Sequence, residues 1–118
     1  MSGKIAIVIN SGWDQKDKVT SGLGVSKRIF DAKEENQIDA VEVFLFTGAV
    51  KLLESVPPEV DRLLSDLKEV GLVVGACSNQ VNNWNLTDPA SKYGIHLEFA
   101  RDAFSRYARE AYTVLRAC

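Results

Sequence analysis

The sequence predicts a three-layer α/β/α sandwich built on a mainly parallel five-stranded sheet. Two observations carry that expectation. Five short runs are apolar without alternation, as strands buried on both faces require, and helical stretches separate them. The chain is 118 residues long, enough for one core and too short for two. A single domain spanning 1–118 is therefore expected.

The elements follow in order. "KIAIVIN" (4–10) is β-branched and closed by Asn-Ser-Gly, which reads as a buried strand. After the polar "SGWDQKDK", Val19, Leu23, Ile29, Phe30 and Ala32 recur at helical spacing, with Gly22 and Gly24 weakening the first turns. "AVEVFLFTG" (40–48) is a second buried strand, and "AVKLLE" a short helical piece. Pro57 and Pro58 suit the opening turn of a helix, where a missing N–H costs little. Val60, Leu63, Leu64, Leu67 and Val70 form its apolar stripe, and Gly71 stands where a helix-ending glycine belongs. "LVVGAC" (72–77) is the third strand, and "SNQVNNWNL" reads as loop. Thr87-Asp88-Pro89 opens a short helix ending at Gly94. "IHLEFA" (95–100) is a fourth strand, "RDAFSRYARE" a helix and "AYTVLRA" a fifth strand.

Composition narrows the function classes. The net charge of −2 comes from interspersed acids and bases, unlike the basic stripe of a nucleic-acid binder. No apolar run approaches a membrane span of about 20 residues, and the start lacks a signal peptide's layout, so a cytoplasmic location is expected. Two cysteines 41 positions apart and one histidine suggest neither a disulfide framework nor a metal site; no metal or cofactor is expected.

In parallel sheets ligands gather at the carboxyl ends of strands. That singles out Asn10-Ser11-Gly12, Thr47-Gly48 and Cys77-Ser78-Asn79. The glycines of "NSGWDQ" and "SGLGVS" complete neither a dinucleotide fingerprint nor a P-loop, so a packing role explains them better. His96 lies inside a strand and reads as a half-buried side chain, and no nucleophile elbow is present. Acidic residues such as Glu59 and Asp66 lie near Arg62 and Lys68, as on solvated helix faces. "NLT" (85–87) matches a glycosylation acceptor that a cytoplasmic chain leaves unused. Trp13 and Trp84 fall in loops at the same edge of the sheet, where an aromatic serves a partner surface or folds over the core.

Cys77 is the remaining candidate. Backbone N–H groups of the turn Ser78-Asn79-Gln80 would favour its thiolate, which is the nucleophilic form. A free cysteine is equally a common core residue, and the residues alone leave both readings open. Cys118, the last residue, reads as an incidental terminal thiol, with a resolving or relay thiol as the sharper alternative.

The chain resembles the DsrE/DsrF-like (YchN-type) family of small sulfur-relay proteins nearly from end to end. "KIAIVIN" is similar to the family's first strand, and "VEVFLFTGAVKLL" to its second strand, turn and small helix. "FARDAFSRYAREAYTVLRA" resembles its closing helix and strand. The most specific piece is Ala76-Cys77-Ser78-Asn79, similar to a strand ending in A-C-[SG]-N, whose cysteine carries sulfur in active members. The asparagine-rich run 78–90 has no residue-by-residue counterpart. The resemblance implies a persulfide carrier with Cys77 as the sulfur-bearing residue, and protein donors and acceptors. Ser78 and Asn79 would shape the loop, with Asn10 and Ser11 beside it if the first and third strands are neighbours. A trimer or hexamer is implied as well. A non-catalytic binding module of the same fold is the alternative, and a redox sensor a third reading.

Overall fold

In the computed structural model, which describes residues 3–117, strands and helices alternate along most of the chain. The order is β1 (Gly3–Ile9), α1 (Lys16–Asp31), β2 (Ile38–Leu45), α2 (Gly48–Lys51), α3 (Pro58–Val70), β3 (Val73–Cys77) and α4 (Ser78–Asn83). Then come α5 (Thr87–Lys92), β4 (His96–Glu98), α6 (Ala100–Arg109) and β5 (Thr113–Arg116). The sheet has the order β4-β3-β2-β1-β5. Every pairing is parallel, so the expected "mainly parallel" sheet is wholly parallel among the described residues. Helices cover both faces, which makes the expected three-layer α/β/α sandwich.

Side-chain alternation divides the core. Val41, Val43 and Leu45 of β2, with Val74 and Ala76 of β3, are buried on the face covered by α1 and α3. Helix α3 turns Val60, Leu64 and Leu67 inward, each burial contributing about 1.5–3 kcal/mol. Pro58 is its first residue, and Gly71 ends it at φ 83°, a left-handed conformation that favours glycine. Glycine also permits a close approach in α1. A Cβ on Gly22 would lie 2.7 Å from Ala117 Cβ and 3.1 Å from Ile9 Cδ1, so the glycine has the packing role expected of it.

Four expectations are corrected. The run "SNQVNNWNL" is not all loop, because 78–83 form α4, anchored by the fully buried Val81. The fourth strand is only His96–Glu98, since Phe99 already serves as the residue before α6. His96 is exposed rather than half-buried, because β4 is an edge strand with one neighbour. Glu59 pairs not with Arg62 but with Lys16 of α1, at 2.7 Å. No helix among the described residues is long and apolar enough to cross a membrane.

Candidate functional site

The strand order decides which polar strand ends meet. β2 lies between β1 and β3, so Asn10 and Ser11 are one strand removed from Cys77. They build the base of the neighbouring loops. A Cβ on Gly12 would lie 2.5 Å from Gly48 O, and one on Gly48 2.6 Å from Asn10 O, so the two turns interlock through bare backbone. Between them Thr47 takes φ 51°, ψ −113°, a strained conformation for a residue with a side chain. Three hydrogen bonds hold it. Its N–H donates to Gln80 Oε1 at 2.8 Å, and its hydroxyl donates to Phe46 O at 2.8 Å and, more weakly, to Asn10 O at 3.3 Å. Asn10 Oδ1 is buried without a partner among the described residues. Ser11 Oγ donates to Gln15 Oε1 at 3.4 Å.

Cys77 closes β3 and is also the residue before α4, so its backbone passes from strand to helix with no intervening loop. It is a free cysteine, 4% exposed. Its side chain faces α6, the side shared by Phe44 and Phe46, and it stands in register with Glu98 of β4. Over it opens a cavity of about 510 Å³, lined by Phe46, Cys77, Asn79, Gln80, Phe99, Ala100 and Arg101. Cys77 and Asn79 thus share a cavity, Ser78 opens α4 beside it, and Asn10 and Ser11 do not line it.

A charged clamp holds α6 over this side of the sheet. Arg106 donates two hydrogen bonds to Glu42, at 2.8 and 2.9 Å, and two to Glu98, at 3.1 and 3.3 Å. Tyr112 OH donates to Glu42 at 2.8 Å. Burial pushes the Glu42 carboxyl up, but hydrogen bonds from Arg106 and Tyr112 and the guanidinium charge outweigh it, and it lies below the ordinary glutamate range. Tyr112 is pushed up to about 12 by burial and by its hydrogen bond to Glu42. These strand carboxylates are therefore not solvated like the helix-face acids. Phe104 of α6 adds edge-on packing to Phe44 and Phe46, with ring centroids 5.5 and 5.9 Å away.

A second cavity of similar size opens against Glu42, Val73, His96 and Arg106. It holds no cysteine or serine, and its Glu42 and Arg106 are paired with each other. No cluster of three or more metal-ligating side chains occurs among the described residues.

Three solved structures share this fold over most of their length. A conserved protein of unknown function from Bacteroides thetaiotaomicron matches with TM-score 0.73 at 17% identity, over 94% of this chain and 93% of that one. The YchN protein of E. coli matches with TM-score 0.69 at 15% identity, over 98% and 99%. The chain has the DsrE/YchN-type fold. A protein of unknown function from Methanobacterium thermoautotrophicum matches this YchN-type fold equally, with TM-score 0.69 at 15% identity over 98% and 99%. No family model matches the chain. No curated protein does either.

On this YchN-type sheet the sequence pointed to the strand-end cysteine and to the backbone of Gln80, but missed the Gln80 side chain and Phe46, Phe99 and Arg101. They come from segments after β2, β3 and β4, and only the order β4-β3-β2 brings those ends together. Trp13 is exposed, with its indole N–H donating to Ser55 O at 2.9 Å. Trp84 follows α4 and carries Lys51 Nζ 4.8 Å from its ring centroid. Cys118 lies outside the described residues.

Proposed function

We propose that this protein carries or transfers persulfide sulfur through Cys77. The observation that supports the reading is a free cysteine at the carboxyl end of β3, lying in the wall of a cavity of about 510 Å³. The Cys77 thiolate attacks the outer sulfur of a donor persulfide, R–S–SH. The donor S–S bond breaks, R–S⁻ leaves, and Cys77 becomes Cys77–S–SH. An acceptor thiolate then attacks that outer sulfur and releases Cys77 as thiolate. The exchange needs neither metal nor external oxidant, because one S–S bond replaces another at each step. Asn79 and Gln80 supply amide dipoles at the cavity wall, and the YchN-type resemblance of Ala76-Cys77-Ser78-Asn79 points the same way. The setting is the cytoplasm, where thiols stay reduced. Self-assembly into a trimer or hexamer would cover apolar residues left at the surface away from the cavity, including Val114 and Leu115.

Intact mass after incubation with a persulfide donor tests the reading. Wild type gains one sulfur atom, about 32 Da, which a reductant removes. Cys77→Ser gains none. An equal gain on Cys77→Ser, or none on wild type, rejects the proposal. The 4% exposure of Cys77 favours a second reading, a non-catalytic binding module in which the thiol only packs. In that case Cys77→Ala folds normally and the wild-type thiol resists a small alkylating agent until the chain unfolds.

A further inference from the structure

The chemistry of the cavity wall goes further than the presence of a thiol. Phe46 and Phe99 give it two aromatic surfaces, Asn79 and Gln80 give it amides, and Arg101 is its one charged lining residue. The Arg101 side chain is 83% exposed. Its Nε donates to Asp102 at 3.1 Å, while its two terminal amino groups have no protein partner among the described residues. The guanidinium carbon lies 6.0 Å from the Phe99 ring centroid, so an aromatic side chain steadies the cation at the cavity rim. Asp102, the counter-ion at Nε, is not part of the lining, and the Glu98 carboxylate is turned into the Arg106 clamp and is not part of it either. The thiol is nearly closed off, which suits a small molecule entering the cavity better than a sulfur fixed on a bulky partner.

From these observations we infer that the sulfur donor at Cys77 is a low-molecular-weight anionic persulfide, a short aliphatic stem bearing a carboxylate, with Arg101 as the specificity-determining residue. The inference rests on the proposed reading of Cys77 and names its substrate class. The stem lies along Phe46 and Phe99, and the free amino groups of Arg101 take the carboxylate in a forked pair of hydrogen bonds. The sulfur transfer is the one written above, with the short-chain thiolate as leaving group.

Two arms test it. In the first, Cys77 is alkylated with iodoacetate and with iodoacetamide, which differ chiefly in charge, and each rate is divided by that of a free small thiol. The anionic-to-neutral ratio falls about threefold in Arg101→Gln and further in Arg101→Glu, and the wild-type preference shrinks at high salt. The Arg101 side chain is exposed, so both variants are expected to fold, which circular dichroism checks. In the second arm, mercaptopropionate persulfide loads wild type faster than mercaptoethanol persulfide, and Arg101→Gln removes that preference. Equal ratios in wild type and both variants overturn the inference. Sulfur loading without charge preference overturns it too, while leaving the persulfide reading intact. Absence of loading from either donor, with the alkylation preference present, rejects the persulfide reading and shows the cavity to be an anion-selective thiol site.

Discussion

The two faces of the sheet are built differently, and the chemistry sits on one of them. Under α1 and α3 the sheet meets its helices mainly through aliphatic side chains: Val41, Val43, Leu45, Val74 and Ala76 against Val19, Leu23, Leu64 and Leu67, with the hydroxyl of the buried Ser26 satisfied by its own helix at Gly22 O. Under α6 the same strands present Glu42, Phe44, Phe46, Gly75, Cys77 and Glu98, and a single ten-residue helix covers them. That helix is held by a guanidinium bridging two carboxylates and by aromatic edges, and Val73, Phe99 and Val114 stay exposed around it. One face stabilises the fold through burial. The other is incompletely covered, and that leaves a cavity beside a thiol.

The difference can be broken first on the closed face. Leu67 is fully buried, and Leu67→Ala removes apolar volume from a packed layer with little room to collapse. A loss of about 2–5 kcal/mol is expected in urea or thermal unfolding. Below 1 kcal/mol, the closed face would not be the source of stability.

Next in size is the clamp. Arg106→Ala leaves the carboxylates of Glu42 and Glu98, with side chains only 14% and 18% exposed, without their cation. Partial exposure moderates the penalty, and a loss of about 1–3 kcal/mol is expected. Its pH dependence follows from Glu42. The folded carboxyl lies below its ordinary value, so its stabilising contribution is complete above the unfolded glutamate value, about 4.3, and is lost as pH falls through the lower folded value. Wild type therefore loses stability across that acidic window, and Arg106→Ala loses less. Equal slopes in urea titrations at several pH values would falsify the clamp as an electrostatic device.

How far the sequence revealed these faces follows from the same chemistry. Continuous apolar runs such as 4–10 and 40–48 are long enough to stand out, and the stripe of Val60, Leu64 and Leu67 marks α3. Cys77 was legible because β3 ends abruptly in polar residues. Helix α4 was not, because Ser78, Asn79, Asn82 and Asn83 form helices poorly and only Val81 anchors the turn in the core. The clamp was hidden because Glu42, Glu98 and Arg106 are far apart in sequence, and the order β4-β3-β2 that joins them is a tertiary property. The exposure of His96 was hidden for the same reason, since nothing in "IHLEFA" says that its strand lies at an edge.

The smallest change in stability is expected at Phe99, where the open face meets the site. Phe99 is 51% exposed, so Phe99→Ala gives up little burial and shifts unfolding by about 1 kcal/mol or less. The same ring forms part of the wall beside Cys77, whose sulfur is otherwise shut in by Phe46 and the start of α4. Removing it widens the lined approach to the thiol, and iodoacetamide should alkylate Cys77 severalfold faster. Leu67→Ala provides the contrast: it destabilises the fold more, yet at a temperature where the fold stays intact it leaves that rate near the wild-type value. If both variants instead raise the rate in proportion to their loss of stability, access to Cys77 runs through global unfolding. A proportionally larger effect at Phe99 shows that the loosely covered face admits reagents to the thiol without disturbing the aliphatic layer behind it.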